Sequence, residues 1–496
     1  MQLPISIDRS SRKPLQIQIY EQLRAMILGG SLKSGQRLPS TRAMADQLTT
    51  ARNTVVLAYD RLTAEGYLCS RSKSGVFVDE RLPEASVLAR HQRGADRPTG
   101  SRIRLGAVPS FSARYPVLWR EGVLPPEFDF FVGRPHPASF PIAFWQRSIA
   151  RHLAQASGAP TRYGDPGGLR KLRAAIADHL NATRGMNVKA DQVIVTAGIQ
   201  GALNLLARLF VTGHRRASIA VENPGYQGAA YLFGSYGAQL CPILVDEHGL
   251  QVSELNQFSG NVVYVTPSHQ FPTGVTMSLD RRLHLLDWAY RTGSYIIEDD
   301  YDSDFRYDGP PLTALAGLAR RERVIYLGTF SKSIGAGVRV GYAVMPPHLA
   351  DQARIAKTLL DLGAPWLEQA VLADFLTEGA FLRHLRQIRR RYKDIRDGLV
   401  ESIHRHFPGS LLSGQECGMH MMWTLPPAGP TAASLQQSAL SAGVGLYTLR
   451  DAAAFHAGRS DRWQRSIVLG YTALSREQAC EAVARVARLV QSRDAR

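Results

Sequence analysis

The chain has 496 residues, 45% hydrophobic and 20% charged, with a formal net charge of +17. That length exceeds one ordinary core and favours two or three compact units, and the absence of a run of about 18 apolar residues excludes a membrane span. The positive charge suits a polyanionic partner such as nucleic acid, while MQLPISIDRSSRKPL lacks the apolar core of an export signal. Cys69, Cys241, Cys417 and Cys480 are too scattered for a disulfide framework or a metal-binding spacing. A cytoplasmic protein without a metal is expected.

From residue 14 to residue 80 helical and turn signals alternate. Ile19, Leu23 and Ile27 recur at four-residue spacing until Gly29-Gly30 stops the helix. A short second helix follows Pro39, with Ser40 as its N-cap and Ala43 and Leu48 expected inward. Thr50 is the expected cap of a third helix over residues 51–64, with Val55, Ala58, Tyr59 and Leu62 on one face and Gly66 at its end. Tyr67-Leu68-Cys69 and Val76-Phe77-Val78 read as two strands around the turn Ser72-Lys73-Ser74-Gly75. Three helices and a hairpin describe a winged helix.

Residues 81–124 carry scattered Pro, Gly, Ser and Arg without periodicity and read as a linker. From residue 125 to residue 492 strand candidates alternate with helical stretches, at 193–196, 218–221, 262–266, 295–298, 324–328 and 338–344. This is the pattern of an α/β unit with a mostly parallel sheet and helices on both faces. After Pro365 the chain is helix-rich, with short strands at 419–424 and 466–470 and an amphipathic helix at 477–490, a smaller α+β part.

A recognition helix needs polar residues in its first turn to approach base edges, and cations to meet phosphates. Arg52 can bond guanine, Asn53 can read adenine and Thr54 can hold phosphate, while Arg42 and Lys73 can meet the backbone. In the second unit, ligands of an open α/β sheet sit at the carboxyl ends of strands. Thr196-Ala197-Gly198-Ile199-Gln200 opens a helix there with free N–H groups suited to phosphate. Asp299 and Tyr301 follow another strand, where a carboxylate can keep a pyridinium protonated and a phenol can reach the ring hydroxyl. Lys332 follows a third strand as a Schiff-base lysine, between the hydroxyls of Thr329 and Ser331 and the cation of Arg339.

The series PLQIQIYEQLRAMILGG, SLKSGQRLPSTRAMADQL, ARNTVVLAYDRLTAEGYL and SRSKSGVFV resembles the GntR class of winged helix-turn-helix domains over residues 14–80. The resemblance implies DNA contacts by Arg42, Arg52, Asn53, Thr54 and a wing around Lys73 and Gly75. Residues 125–492 resemble fold type I pyridoxal-phosphate enzymes of the aspartate aminotransferase class. That resemblance implies pyridoxal 5'-phosphate on Lys332, with Asp299 on the pyridine nitrogen, Tyr301 on the ring hydroxyl and Tyr226 stacked on the ring. It puts Gly198, Ile199, Thr329 and Arg339 on the phosphate, with Tyr163 reaching the phosphate of the neighbouring subunit in a domain-swapped, head-to-tail homodimer.

Where many aminotransferases carry Asn-Pro-Thr-Gly, this chain reads Phe271-Pro272-Thr273-Gly274, so the bond from Asn to the ring hydroxyl is lost and either His269 or Gln270 is the substitute. TPSHQFPTG, EDDYDSDFRY, GTFSK and HLRQIRRRYKDIRDGL resemble the MocR subfamily of GntR regulators, in which the two modules are fused. The resemblance implies a regulator that binds promoter half-sites and answers to pyridoxal phosphate itself, or to an amine or amino acid that forms an aldimine with it. The alternative is a working aminotransferase with an appended DNA-binding module. Arg450 is the expected holder of an effector carboxylate and Arg465 the alternative. In relatives that sense an amino acid, an arginine follows the stacking tyrosine by two residues; here that position is Gly228, which argues against a two-arginine grip.

Overall fold

The computed structural model describes residues 3–494 apart from 12, 72–74, 81–124, 157, 215, 309–311, 320–321, 428 and 459. Two compact units divide between Gly106 and Ala107. The expected linker lies outside the described residues.

In the first unit, helix α1 (Leu15–Leu28) buries Ile19, Leu23 and Ile27 and ends at Gly29. Helix α2 (Thr41–Gln47) is capped by Ser40, whose side chain accepts from the Ala43 amide. Its inward residues are Met44 and Ala45. Ala43 is exposed and Leu48 half-buried, because the helix begins at Thr41 and turns the 44/45 edge, rather than the 43/48 edge, toward the core. Helix α3 (Arg52–Ala64) buries Val55, Ala58, Tyr59 and Leu62, and its N-cap is Ala51. The expected Thr50 cap is therefore corrected: Thr50 precedes the cap, and no side chain closes this terminus. Strands β1 (Leu68–Arg71) and β2 (Gly75–Val78) pair antiparallel, Leu68 with Val78, as the wing. Leu3 and Ile5 join the same core as α1, α2 and α3.

The second unit is built on an eight-stranded sheet of β3 (Val193–Thr196), β4 (Ser218–Asn223), β5 (Gln239–Asp246), β6 (Gly249–Leu250), β7 (Val262–Val265), β8 (Tyr295–Asp299), β9 (Val324–Thr329) and β10 (Gly341–Val344). The order is β3-β10-β9-β8-β7-β4-β5-β6. Strands β5, β4, β7, β8 and β9 run parallel to one another, and the short β6 pairs antiparallel with β5. Strand β10 runs antiparallel between β9 and β3. Its beginning therefore lies at the edge where β9 and β3 end, which carries Arg339 to the same edge as Thr196 and Thr329. Helices cover both faces; α4 (Arg170–Arg184), α5 (Gly198–Phe210) and α6 (Leu279–Thr292) each bury an apolar stripe.

Strand β5 had no counterpart among the expected strands. Pro242 interrupts its apolar run and several of its residues stay partly exposed. The smaller part carries the antiparallel sheet β11 (Leu411–Ser413), β12 (His420–Thr424), β13 (Tyr447–Thr448) and β14 (Ser466–Gly470), in the order β11-β12-β14-β13. It rests on the long amphipathic helix α7 (Ala380–His406) and on α8 (Arg476–Asp494).

Candidate functional site

At the first turn of α3, Arg52 and Asn53 are exposed and Thr54 is half-buried. Arg52 Nε donates to Thr41 Oγ1 at 3.3 Å, so its guanidinium stands beside the start of α2, whose Arg42 is exposed. Gly75 has φ +113°, and a Cβ there would lie 3.1 Å from Arg37 Nε. Arg37, within SLKSGQRLPSTRAMADQL, was not singled out in the sequence; it is exposed and bridges to Phe77 on the wing. Lys73 lies outside the described residues.

In the second unit the expected ligands collect along the carboxyl edge of the large sheet. Gly198 opens α5 with φ +72°, and Arg339, itself left-handed at φ +54°, donates from Nη2 to Ala197 O at 2.9 Å. A Cβ on Gly198 would sit 2.9 Å from that nitrogen. Across the sheet Thr196, Gly341 and Thr329 stand side by side on β3, β10 and β9, about 4.8 Å from strand to strand. The Ser331 amide donates to Thr329 Oγ1 at 3.1 Å. The start of α5 at Gly198 and Ile199, the hydroxyls of Thr329 and Ser331 and the Arg339 guanidinium thus gather at one sheet edge, a donor set suited to a phosphate.

Asp299 ends β8. Its Oδ2 accepts from the Tyr264 hydroxyl at 2.6 Å, while its Oδ1 is buried without a partner among the described residues. Burial pushes this carboxyl up to about 7, against the Tyr264 bond and the nearby Lys332 charge. A bare buried carboxylate oxygen fits the N–H of a protonated pyridine. Lys332 is half-buried and donates from Nζ to Gly133 O at 3.1 Å. Burial lowers its ammonium from the usual lysine range, and Asp302 and Asp299 oppose that shift. Tyr226 accepts at its hydroxyl from Gln200 Nε2 at 2.9 Å and meets Phe271 edge-on, with ring centroids 6.0 Å apart. The Tyr301 hydroxyl donates to His269 O at 3.0 Å. Phe271, Leu449, Ala452, Ala454 and Val468 form the apolar wall, with Tyr226 and Tyr301 against it.

The Gln270 amide is occupied, by its own loop and by the segment that follows β4. Its Nε2 donates to Pro224 O and Phe271 O, both at 2.7 Å, and its Oε1 accepts from the Thr273 amide and hydroxyl. Arg450 is exposed, without a side-chain hydrogen bond or ion pair among the described residues, next to Leu449 of the wall. Arg465 instead donates to Pro426 O at 3.0 Å and to Pro427 O. Tyr163 is 87% exposed, and its side chain makes no hydrogen bond among the described residues. A Cβ on Gly228 would lie 2.4 Å from Gln200 Nε2 and 2.5 Å from Tyr226 Oη. Tyr264, Gly133 and His420 were missed because they sit in an apolar strand run, an irregular segment and a distant strand, none with a local motif, and the Gln200 side chain was missed because its segment was read only for backbone amides.

Two family models match the chain: "Aminotransferase class I and II" over residues 135–485 and "Bacterial regulatory proteins, gntR family" over residues 15–78. The probable rhizopine catabolism regulatory protein MocR of Rhizobium meliloti is 39% identical over 84% of this chain and 83% of its own. The pyridoxine biosynthesis transcriptional regulator PdxR of Corynebacterium glutamicum is 34% identical over 84% of this chain and 85% of its own. Among solved structures, the kynurenine aminotransferase of Pyrococcus horikoshii aligns with TM-score 0.67 at 26% identity, over 82% of this chain and 99% of that one. The aminotransferase domain implies pyridoxal 5'-phosphate as cofactor. No helix among the described residues is long and apolar enough to cross a membrane. With a gntR-family module at one end and a class I and II aminotransferase domain over most of the rest, the chain belongs to the MocR-type GntR family of DNA-binding transcriptional regulators.

Proposed function

We propose that this regulator holds pyridoxal phosphate on Lys332 and changes its DNA binding when an amine or amino acid, or the cofactor itself, occupies the pocket. Asp299 carries the reading: a buried carboxylate with one oxygen bonded to Tyr264 and the other bare, at the strand end beside Lys332. When bound, the cofactor supplies an aldehyde that condenses with amines and a ring that withdraws electrons. The chain's residues hold it: Asp299 on the ring nitrogen, Tyr226 on its face, Tyr301 toward its hydroxyl. Gly198, Ile199, Thr329 and Arg339 hold the phosphate, and Tyr163 reaches across a homodimer from the neighbouring subunit. Arg450, unpaired and beside the wall, is the holder of an effector carboxylate; Arg465 is committed to backbone carbonyls.

Arg42, Arg52, Asn53, Thr54 and the wing at Gly75 meet the DNA, and a dimer would read two half-sites. The protein is read as cytoplasmic. Mixing purified protein with pyridoxal phosphate should give a visible absorbance band that is absent in Lys332→Ala. Amines that change the band should change promoter-fragment affinity in the wild type alone. A wild-type band with no affinity change for any amine, and none on cofactor loading, would overturn the sensor reading. The intact Lys332 keeps a second reading open to the same protein: multiple-turnover transamination that Lys332→Ala abolishes would make it an enzyme.

A further inference from the structure

Three buried side chains from separate segments meet beneath Tyr301. His269 Nδ1 lies 2.8 Å from Asp302 Oδ2, and the His420 ring, on β12, lies 4.4 Å from that of His269 between centroids. One ligand atom from each lies within 4.8 Å of the others, so the trio has the composition of a metal cage. Its geometry is that of a hydrogen bond. Zinc ligands at about 2.0–2.1 Å around a tetrahedral ion stand roughly 3.3 Å apart, and the 2.8 Å contact is too short for that edge. Asp302 Oδ2 also accepts from the Met419 amide at 3.2 Å. The carboxylate thus fixes His269 with its proton on Nδ1 and leaves His269 Nε2 bare, in keeping with that atom's lack of a partner.

This arrangement bears on the missing asparagine. Phe271 offers no hydrogen bond, and the Gln270 amide is consumed by Pro224, Phe271 and Thr273. Tyr301 is left as the hydroxyl assigned above to the ring oxygen, and its single proton goes to His269 O at 3.0 Å, with His269 Nδ1 3.4 Å away. Bulk cannot be added around this ring: a Cβ on Gly418 would lie 1.9 Å from His269 Cε1, and one on Gly414 would lie 3.1 Å from His269 Nε2. We propose that His269, its ring anchored by Asp302, is a positioning residue whose main-chain carbonyl tethers the Tyr301 hydroxyl and so limits its donation to the ring oxygen of the cofactor. The inference rests on the reading of Tyr301 given above. Donors to that oxygen weaken its hold on the imine proton, so loosening the tether lowers the pH at which the visible band titrates.

The test is a double-mutant cycle on the cofactor-loaded full chain, read by the pH midpoint of the visible band, with thermal midpoints recorded alongside. His269→Asn is expected to lower the band midpoint by about half a pH unit or more, and to move it by less than about 0.2 in a Tyr301→Phe background. Where His269→Asn does not fold, His269→Gln serves in the same cycle. Asp302→Asn should also lower the midpoint, partly by removing a charge near Lys332, so part of its effect survives in Tyr301→Phe. Added zinc or a chelator should leave the band unchanged. Equal shifts by the His269 variant in both backgrounds, or a spectral response to zinc, would overturn the inference. A wild type with no Lys332-dependent band would instead sink the cofactor reading on which it rests.

Discussion

Asp299 has a raised folded-state pKa of about 7, with burial as the main cause, and Glu222 and Glu298 are each pushed up to about 7 for the same reason. An acid whose folded pKa is raised holds a proton that the unfolded chain releases near pH 4, so stability is lost as pH rises from there toward 7. The cofactor-free protein should therefore need less urea to unfold at pH 8 than at pH 5. Asp299→Asn removes one of the three groups and should make that loss shallower. Adding pyridoxal phosphate at pH 8 should stabilise the wild type more than this variant. A pH loss as steep in the variant as in the wild type would separate Asp299 from the effect. Asp299 was legible in the sequence because it follows an apolar strand run; Tyr264, which holds it, was not, because a tyrosine inside VVYV reads as core. Asp302 and His420 are 118 positions apart in sequence, and only tertiary packing brings them together.

At the scale of elements, the winged helix was legible because its inward residues recur at helical spacing and its turns carry glycine. What escaped was register. Ser40 caps α2 as expected, yet Met44 rather than Ala43 enters the core, since a helix only two turns long gives too few positions to fix its inward face from spacing. In the large sheet, buried strands were found as short apolar runs, while β5 escaped because Pro242 splits it. Arg52 heads α3 and is tied to Thr41 at the start of α2; under the proposed reading it serves base readout and Arg42 meets phosphate. Arg52→Ala should weaken specific binding by about 1–3 kcal/mol and relax the sequence preference at one position. Arg42→Ala should weaken all sequences alike and reduce the salt slope by about 1. Fluorescence titrations of specific and scrambled duplexes at several salt concentrations separate these outcomes; identical behaviour of the two variants would contradict the division of labour.

For the molecule as a whole, Tyr163 decides whether the pocket is a property of one chain or of two. It is 87% exposed within its own chain, as a side chain destined for a neighbour would be. Mixing Lys332→Ala protein with Tyr163→Ala protein tests this directly. If Tyr163 serves the partner's pocket, the hybrid carries one doubly defective site and one intact site, and refolded mixtures should bind the cofactor more tightly than either parent. If Tyr163 serves its own chain, no hybrid site is intact and no recovery appears. Gly228 sets a different boundary, on how the ligand range of this regulator can drift. Because a Cβ there would meet both Gln200 Nε2 and Tyr226 Oη, an arginine at that position would force the Gln200 or Tyr226 side chain to move. A new grip at this point is therefore expected to need a compensating change at Gln200 or Tyr226. Arg450, by contrast, is exposed and carries no such crowding, so under the proposed reading divergence in what the regulator senses should accumulate there.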